Sequence, residues 1–152
     1  MRRYLLIAIL FSMYLTHFSQ TTRHFYLQVD MTSKHQFYDG TLAGVWAFGY
    51  FDPTDHTSFN NSVPGPFLEC NVGDSVIIHF WNNDGESHSI HLHGLDVDQA
   101  NDGVPTTSAA VLGFDSTTYH FKAEHAGNFL YHCHVHTSLH LQMGMYLSLI
   151  HI

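Results

Sequence analysis

The stretch Tyr131-His132-Cys133-His134-Val135-His136 joins the end of a strand-like segment to a dense cluster of thiol and imidazole side chains. The residues that lead into it from Gly127 are mostly aromatic and aliphatic, which is typical of a β-strand. Successive side chains on a strand point to opposite faces. If the strand continues through this stretch, Cys133 points to the core, whereas His132 and His134 point outward.

A second histidine cluster, His88-Ser89-Ile90-His91-Leu92-His93-Gly94, follows the same alternation. Its first imidazole shares a face with the apolar side chains of Ile90 and Leu92, and its other two imidazoles share the opposite face. Together with the first stretch, this pattern predicts an inward group that contains His88 and Cys133. It also predicts an outward group of four imidazoles, which belong to His91, His93, His132 and His134.

Strand-forming sequences dominate the remainder of the chain. Segments rich in β-branched, aromatic and aliphatic residues lie at 25–31, 44–51, 75–81, 89–93, 118–122, 127–133 and 145–152. Turn-forming residues separate them, and the sequence has no convincing helical period of useful length. The longest interruption, 94–116, is predicted to carry functional loops. This pattern predicts an all-β sandwich or barrel of about seven to eight short strands.

The first 20 residues have the pattern of a secretory signal peptide. Arg2 and Arg3 form a basic start, and an apolar run from Tyr4 to Leu15 follows that is short for spanning a bilayer. We therefore expect a signal peptide over residues 1–20 and a single domain over residues 21–152. The expected location is the periplasm or the cell exterior.

The chain is acidic and unusually rich in histidine. It contains 13 Asp and Glu residues, five Lys and Arg residues and 15 His residues. The excess of negative charge argues against nucleic acid or an anionic membrane surface as a partner. So many imidazoles beside so few other basic residues favour metal binding.

The two cysteines, Cys70 and Cys133, permit a disulfide in an exported protein. We favour a free Cys133 instead, because it lies among histidines, where a thiolate can bind metal. We expect Cys70 to be a small buried residue.

The thiol of Cys133, several imidazoles and the thioether of Met145 lie close together in the sequence. A single Cys with two His and a weakly held Met is the ligand set of blue copper sites. Zinc is the main alternative because it also binds Cys and His, but its structural sites favour paired cysteines. A Cys–His nucleophile is a third interpretation, although it leaves the many imidazoles around the thiol unexplained.

These motifs resemble those of the multicopper oxidases, a family within the cupredoxins. The second cluster is similar to their His-Pro-x-His-x-His-Gly motif, with Ser89 in place of Pro, and His132-Cys133-His134 is similar to their His-Cys-His motif. Val63-Pro64-Gly65-Pro66, followed by Gly73-Asp74-Ser75-Val76, resembles the family's early strands. The resemblance runs from Asn61 to Met145 and implies a Greek-key, cupredoxin-like fold.

The resemblance also implies two kinds of copper centre. A type 1 copper would be held by His88, Cys133, His140 and Met145, with Met145 axial. A trinuclear cluster of type 2 and type 3 copper would be held by His91, His93, His132 and His134. Electrons would pass between the centres through Cys133 and its two histidine neighbours, which makes these three residues catalytic. Asp102, in a loop that resembles one of the family's first domain, would help to deliver protons.

The spacing after Cys133 differs from the usual pattern of the family. There, the second imidazole of the type 1 site follows the Cys by five positions, and that place is Ser138 here. We expect His140 to take this role, because Gly144-Met145 follows it at the usual distance. His136 and Met143 are the alternatives.

The family's oxygen-reducing cluster takes eight imidazoles from two domains, and this chain supplies four. We therefore predict a homo-oligomer in which two copies complete a cluster. The expected function is one-electron oxidation of a small reductant or metal ion at the type 1 copper, coupled to O2 reduction at the trinuclear cluster. The alternatives are a periplasmic blue-copper electron carrier that serves a redox partner protein without oxidase activity, and a copper storage or delivery protein.

Overall fold

The computed structural model describes residues 20–36 and 38–152, with the backbone alone at 32–35 and 56–59. The predicted signal peptide, apart from Gln20, lies outside the described residues. Within the described ranges, no helix is long and apolar enough to cross a membrane.

Nine strands and two short helices make up the described chain. In chain order the strands are β1 (Thr22–Gln36), β2 (Leu42–Asp52), β3 (Asp55–Asn61), β4 (Leu68–Cys70), β5 (Ser75–Asn82), β6 (His91–Leu92), β7 (Ser116–Lys122), β8 (Gly127–His132) and β9 (Tyr146–His151). The helices are α1 (Pro105–Ser108) and α2 (Thr137–Met143). The prediction of an all-β fold is confirmed.

The sequence did not predict β3, β4 or α2, and each of these omissions has a physical reason. β3 is mostly polar, β4 has three residues, and α2 has seven. Seven residues are about two helical turns, which is too short to display an apolar period. The predicted loop region 94–116 is confirmed as free of strands up to the start of β7, and it contains α1.

The strands form two sheets that pack face to face. One sheet has the order β3-β2-β1-β5-β7, and the other has the order β4-β9-β8-β6. β5 alternates between buried and half-buried residues along its whole length, as expected of a strand with one face on the core. The core contains a cluster of aromatic rings in which Phe48 lies 6.0 Å from Phe80 and 5.7 Å from Tyr131, centroid to centroid.

The order of the strands brings the two histidine clusters together. The chain crosses from one sheet to the other between β5 and β6, between β6 and β7, and again between β7 and β8. β6 and β8 therefore become antiparallel neighbours, with His91 opposite His132 and Leu92 opposite Tyr131. Both cysteines are buried and free, so the disulfide alternative is excluded.

Gly103 holds the long loop against β6. Its φ is +71°, in the left-handed region that favours glycine, and a Cβ built on it would lie 1.8 Å from the carbonyl oxygen of Ile90. Only glycine permits this approach, which places the neighbouring Asp102 beside His91.

We predict that Gly103→Ala destabilises the fold more than Gly73→Ala does. Gly73 also has a positive φ of +95°, but a Cβ there would meet nothing within 4 Å. The control therefore carries the backbone strain alone, and Gly103→Ala should lose about 2 kcal/mol more through overpacking. Urea unfolding of the two variants measures the difference, and equal losses would show that the loop tolerates a Cβ.

Candidate metal centres

The inward group consists of His88, Cys133 and His140. All three side chains are buried, and their Nδ1, Sγ and Nδ1 atoms converge in one place between the sheets. The Sγ of Cys133 lies 3.1 Å from Nδ1 of His140 and 3.8 Å from Nδ1 of His88. The three donor atoms lie within 4.8 Å of one another, so a single metal ion can reach all of them.

The short helix α2 brings His140 to this group. Gly144, with φ of +104°, ends the helix, and the chain then turns back so that the N–H of Met145 donates to the carbonyl of His140 at 3.0 Å. The carbonyl of Met145 accepts from the N–H of Cys133 at 3.1 Å, and its side chain is fully buried. Of the two alternatives, His136 is exposed and Met143 is half-buried.

Burial keeps the inward donors uncharged. It raises the pKa of the Cys133 thiol to about 11, although hydrogen bonds with Ser89 and Val135 oppose the shift. Burial lowers the pKa of His140 to about 4, with a further contribution from the charges of His88 and His136. A metal cation that binds here must therefore displace a proton from sulfur, whereas the imidazoles already present free lone pairs.

The outward group consists of His91, His93, His132 and His134. The ring of His91 lies 4.6 Å from that of His93 and 5.0 Å from that of His134, centroid to centroid. The Nε2 atoms of His93 and His132 are 2.7 Å apart. His132 is buried despite its outward direction, because the other imidazoles cover it.

Hydrogen bonds fix which nitrogen faces the outward group. The Nδ1 of His132 donates to the carbonyl of Cys133 at 2.7 Å, and the Nδ1 of His91 donates to the carbonyl of Asp102 at 2.6 Å. A carboxylate oxygen of Asp102 also lies 3.2 Å from the same His91 nitrogen. The Nε2 atoms of His91 and His132 therefore keep lone pairs that can bind metal, as is usual for metal-binding histidines.

Contacts of three residues beside the two groups could not be predicted from the sequence. The indole of Trp46 lies 5.0 Å from the ring of His140 and 5.9 Å from that of His88. Asp84 has a carboxylate oxygen 3.5 Å from Nε2 of His88. Ser89 accepts a hydrogen bond from the N–H of His134 at 3.2 Å. The i, i+4 spacing of Asp84 and His88 was the one signal available.

Comparison with known families identifies this arrangement. The sequence pattern of the multicopper oxidases matches residues 44–151, which is most of the chain. The chain belongs to the multicopper oxidase family.

Individual members of the multicopper oxidase family are similar over this region. The oxidoreductase OpS5 of Beauveria bassiana is 40% identical over 92 residues, which cover 58% of this chain and 15% of that protein. The multicopper oxidase MmcO of Mycobacterium tuberculosis is 29% identical over 93 residues, which cover 61% of this chain and 18% of that protein. The chain thus spans less than a fifth of the length of either relative.

Solved structures of multicopper oxidases have the same fold. A multi-copper oxidase from Pseudomonas thermotolerans matches 87% of this chain with a TM-score of 0.72 and 29% identity, and the match covers 30% of that protein. The blue copper oxidase of Nitrosomonas europaea matches 86% of this chain with a TM-score of 0.68 and 31% identity, and the match covers 38% of that protein. The prediction of a cupredoxin-like sandwich is confirmed.

The inward group fits the metal of the multicopper oxidases. One thiol, two imidazoles and a neighbouring Met form the donor set that copper accepts in blue sites. Bonds of about 2.3 Å to sulfur and about 2.0 Å to nitrogen, at about 120°, place such donors about 3.7 Å apart. The separation of 3.8 Å matches this value, whereas that of 3.1 Å is shorter, so a metal ion fits once the His140 ring moves away from the sulfur by about 0.6 Å.

We predict that Cys133→Ser abolishes the blue colour of the copper-loaded protein. The colour of such sites depends on a copper–thiolate bond, which a hydroxyl does not provide. Cys70→Ser is the matched control, because it removes the other buried thiol and should leave the colour unchanged. Visible absorption after copper addition measures both, and a blue Cys133→Ser protein would exclude a type 1 site at Cys133.

We also predict that His140, and not His136, is required for this colour. His140 is buried 3.1 Å from the sulfur, whereas His136 is exposed with its ring 6.1 Å from that of His140. His140→Ala should therefore lose the blue absorption, and His136→Ala should keep it. The reverse result would assign the ligand to the exposed histidine.

Proposed function

We propose that this chain is a copper-binding oxidoreductase that takes single electrons from a small reductant or metal ion and passes them to O2. Copper would supply one-electron transfer at the inward group, as a type 1 site, and O2 reduction at the outward group, as a type 2 and type 3 cluster. The proposed ligands are His88, Cys133, His140 and Met145 for the first site, and His91, His93, His132 and His134 for the second. The observation that carries this proposal is the position of Cys133 between two outward imidazoles.

Cys133 provides a covalent connection between the two groups. Its Sγ belongs to the inward group, and its peptide bonds lead directly to His132 and His134 of the outward group. The hydrogen bond from Nδ1 of His132 to the carbonyl of Cys133 adds a second connection of 2.7 Å. Such a direct bridge suits electron transfer between the two groups.

The reductant would approach on the side of α2. A groove with mostly apolar walls lies between β2 and α2, lined by Ala43, Val45, Val63, Leu139 and Met143. His140 belongs to the same helix, so the groove borders the element that carries one proposed ligand. Its volume of about 240 Å³ accommodates a small reductant.

The outward group would be completed by a second copy of the chain. Leu130 and Tyr146 flank His132 on the outer face of the four-stranded sheet, and they are 43% and 37% exposed. This apolar surface surrounds imidazoles whose pKa values are kept low; burial is the main cause for both His93 and His132. Neutral imidazoles within an apolar surface favour contact with the same surface of a second chain, and an isologous interface pairs the two surfaces in this way.

Asp102 would help to deliver protons for O2 reduction. Its carboxylate is half-buried, lies 3.2 Å from Nδ1 of His91 and accepts a hydrogen bond from the hydroxyl of Thr107 at 3.1 Å. It therefore stands between the loop surface and the outward group, where a proton carrier is required.

The second candidate is a blue-copper electron carrier without oxidase activity. The observation that favours it is that the inward group has all its donors in one chain. For either function we propose export to the periplasm or the cell exterior, because residues 1–20 have the pattern of a signal peptide.

We predict that the inward and outward groups together hold five copper ions per two chains and that the protein consumes O2 with a reductant. Two inward sites contribute two ions, and one shared cluster contributes three. Mass determination in solution, copper analysis and an oxygen electrode measure these properties on one preparation. A monomer with one copper ion in these groups per chain and no oxygen uptake would establish the electron carrier instead.

The assembly itself is tested by Leu130→Asp with Leu112→Asp as the control. Both leucines are exposed, but Leu112 lies in the loop before β7, away from the outer face of the four-stranded sheet. Leu130→Asp should dissociate the oligomer and stop oxygen uptake while the blue colour persists. If both variants assemble as well as the wild-type chain, the proposed interface is wrong.

A further inference from the structure

Three histidines lie together on the outer face of the five-stranded sheet, on the other side of the sandwich from the outward group. They are His24 on β1, His79 on β5 and His120 on β7. The strand register places His24 and His120 on either side of Ile77, with His79 diagonal to both. Diagonal neighbours on one sheet face are within reach of long side chains.

Two of these imidazoles are within hydrogen-bonding distance of each other. The Nδ1 of His24 lies 3.0 Å from the Nε2 of His79, and the two rings are nearly parallel, at 11°. The ring of Tyr26 stacks on His79 at 4.6 Å and 8°, which holds the imidazole with Nε2 toward His24. His24 is exposed and His79 is half-buried, so an ion in solution can reach the pair.

The two nitrogens share a hydrogen bond of 3.0 Å, so a metal ion that displaces the shared proton finds two imidazole donors side by side. Imidazole binds both copper(II) and zinc, and a given nitrogen site generally binds copper(II) more tightly than zinc. Copper(II) with nitrogen and water ligands is typically tetragonal. The pKa of His79 is lowered by burial and by the neighbouring charges of His24 and His120, so its lone pair is available at neutral pH.

We propose that His24 and His79 form an accessory copper(II) site on this face, with His120 as a third ligand after rotation of its exposed side chain. The site is separate from the inward and outward groups and binds the ion in a tetragonal environment of nitrogen and water. A surface site of this kind would hold copper without contact to Cys133.

The test is copper(II) titration of the full chain and of two variants, followed by electron paramagnetic resonance and metal analysis. His79→Ala should bind one ion fewer per chain than the wild type, and it should lose a tetragonal signal with nitrogen hyperfine splitting. His125→Ala, which removes an exposed imidazole elsewhere, should bind as the wild type does. His24→Ala repeats the test at an exposed strand position and should give the same loss.

Equal copper content in the wild type, His79→Ala and His24→Ala would overturn the proposal. Equal affinity for zinc and copper(II) at the wild-type site would overturn its assignment to copper. The blue absorption and oxygen uptake should persist in His79→Ala, because neither depends on this face. The count of five copper ions per two chains is therefore made on His79→Ala, so that failure of that count and failure of the accessory site are distinguished.

Discussion

The alternation of side chains about Cys133 is the constraint on which the rest of the structure depends. Successive side chains on an extended chain point to opposite faces of the sheet. Because the thiol of Cys133 points between the sheets at the end of β8, the imidazoles of His132 and His134 point outward. β6 repeats the pattern one strand away, and the pairing of His91 with His132 aligns the outward imidazoles. Two donor groups on opposite faces of one sheet edge follow from backbone geometry alone.

Burial then decides the chemical state of the inward group. The surroundings of Cys133 are apolar, and an unpaired thiolate there is costly, which is why the pKa of the thiol rises to about 11. The same surroundings keep the imidazoles of His88 and His140 neutral. A buried site with neutral donors gains charge only when a cation arrives, so the ion and the thiolate stabilise each other in a place where neither is favourable alone.

Short-range patterns predicted the composition of both groups, whereas long-range pairing could not be predicted. The alternation of side chains within the stretches 88–94 and 131–136 was enough to assign His88 and Cys133 to the inward group and four imidazoles to the outward group. Gly144-Met145 was enough to select His140, although the helix that carries it has only seven residues and no visible period. The contact of His24 with His79 depends on a parallel pairing of strands 55 residues apart, and no local pattern encodes that register.

The two groups differ in whether one domain can complete them. The inward donors come from three directions, because the segment before β6, the residue that follows β8 and the helix α2 all face one space between the sheets. The outward imidazoles lie on or directly beside two adjacent strands of one sheet, so they are grouped on one side of it. A cluster of metal ions needs donors around its whole surface, and a sheet face covers half of it at most. The proposed oxidase function therefore requires another surface with its own neutral imidazoles to supply the other half.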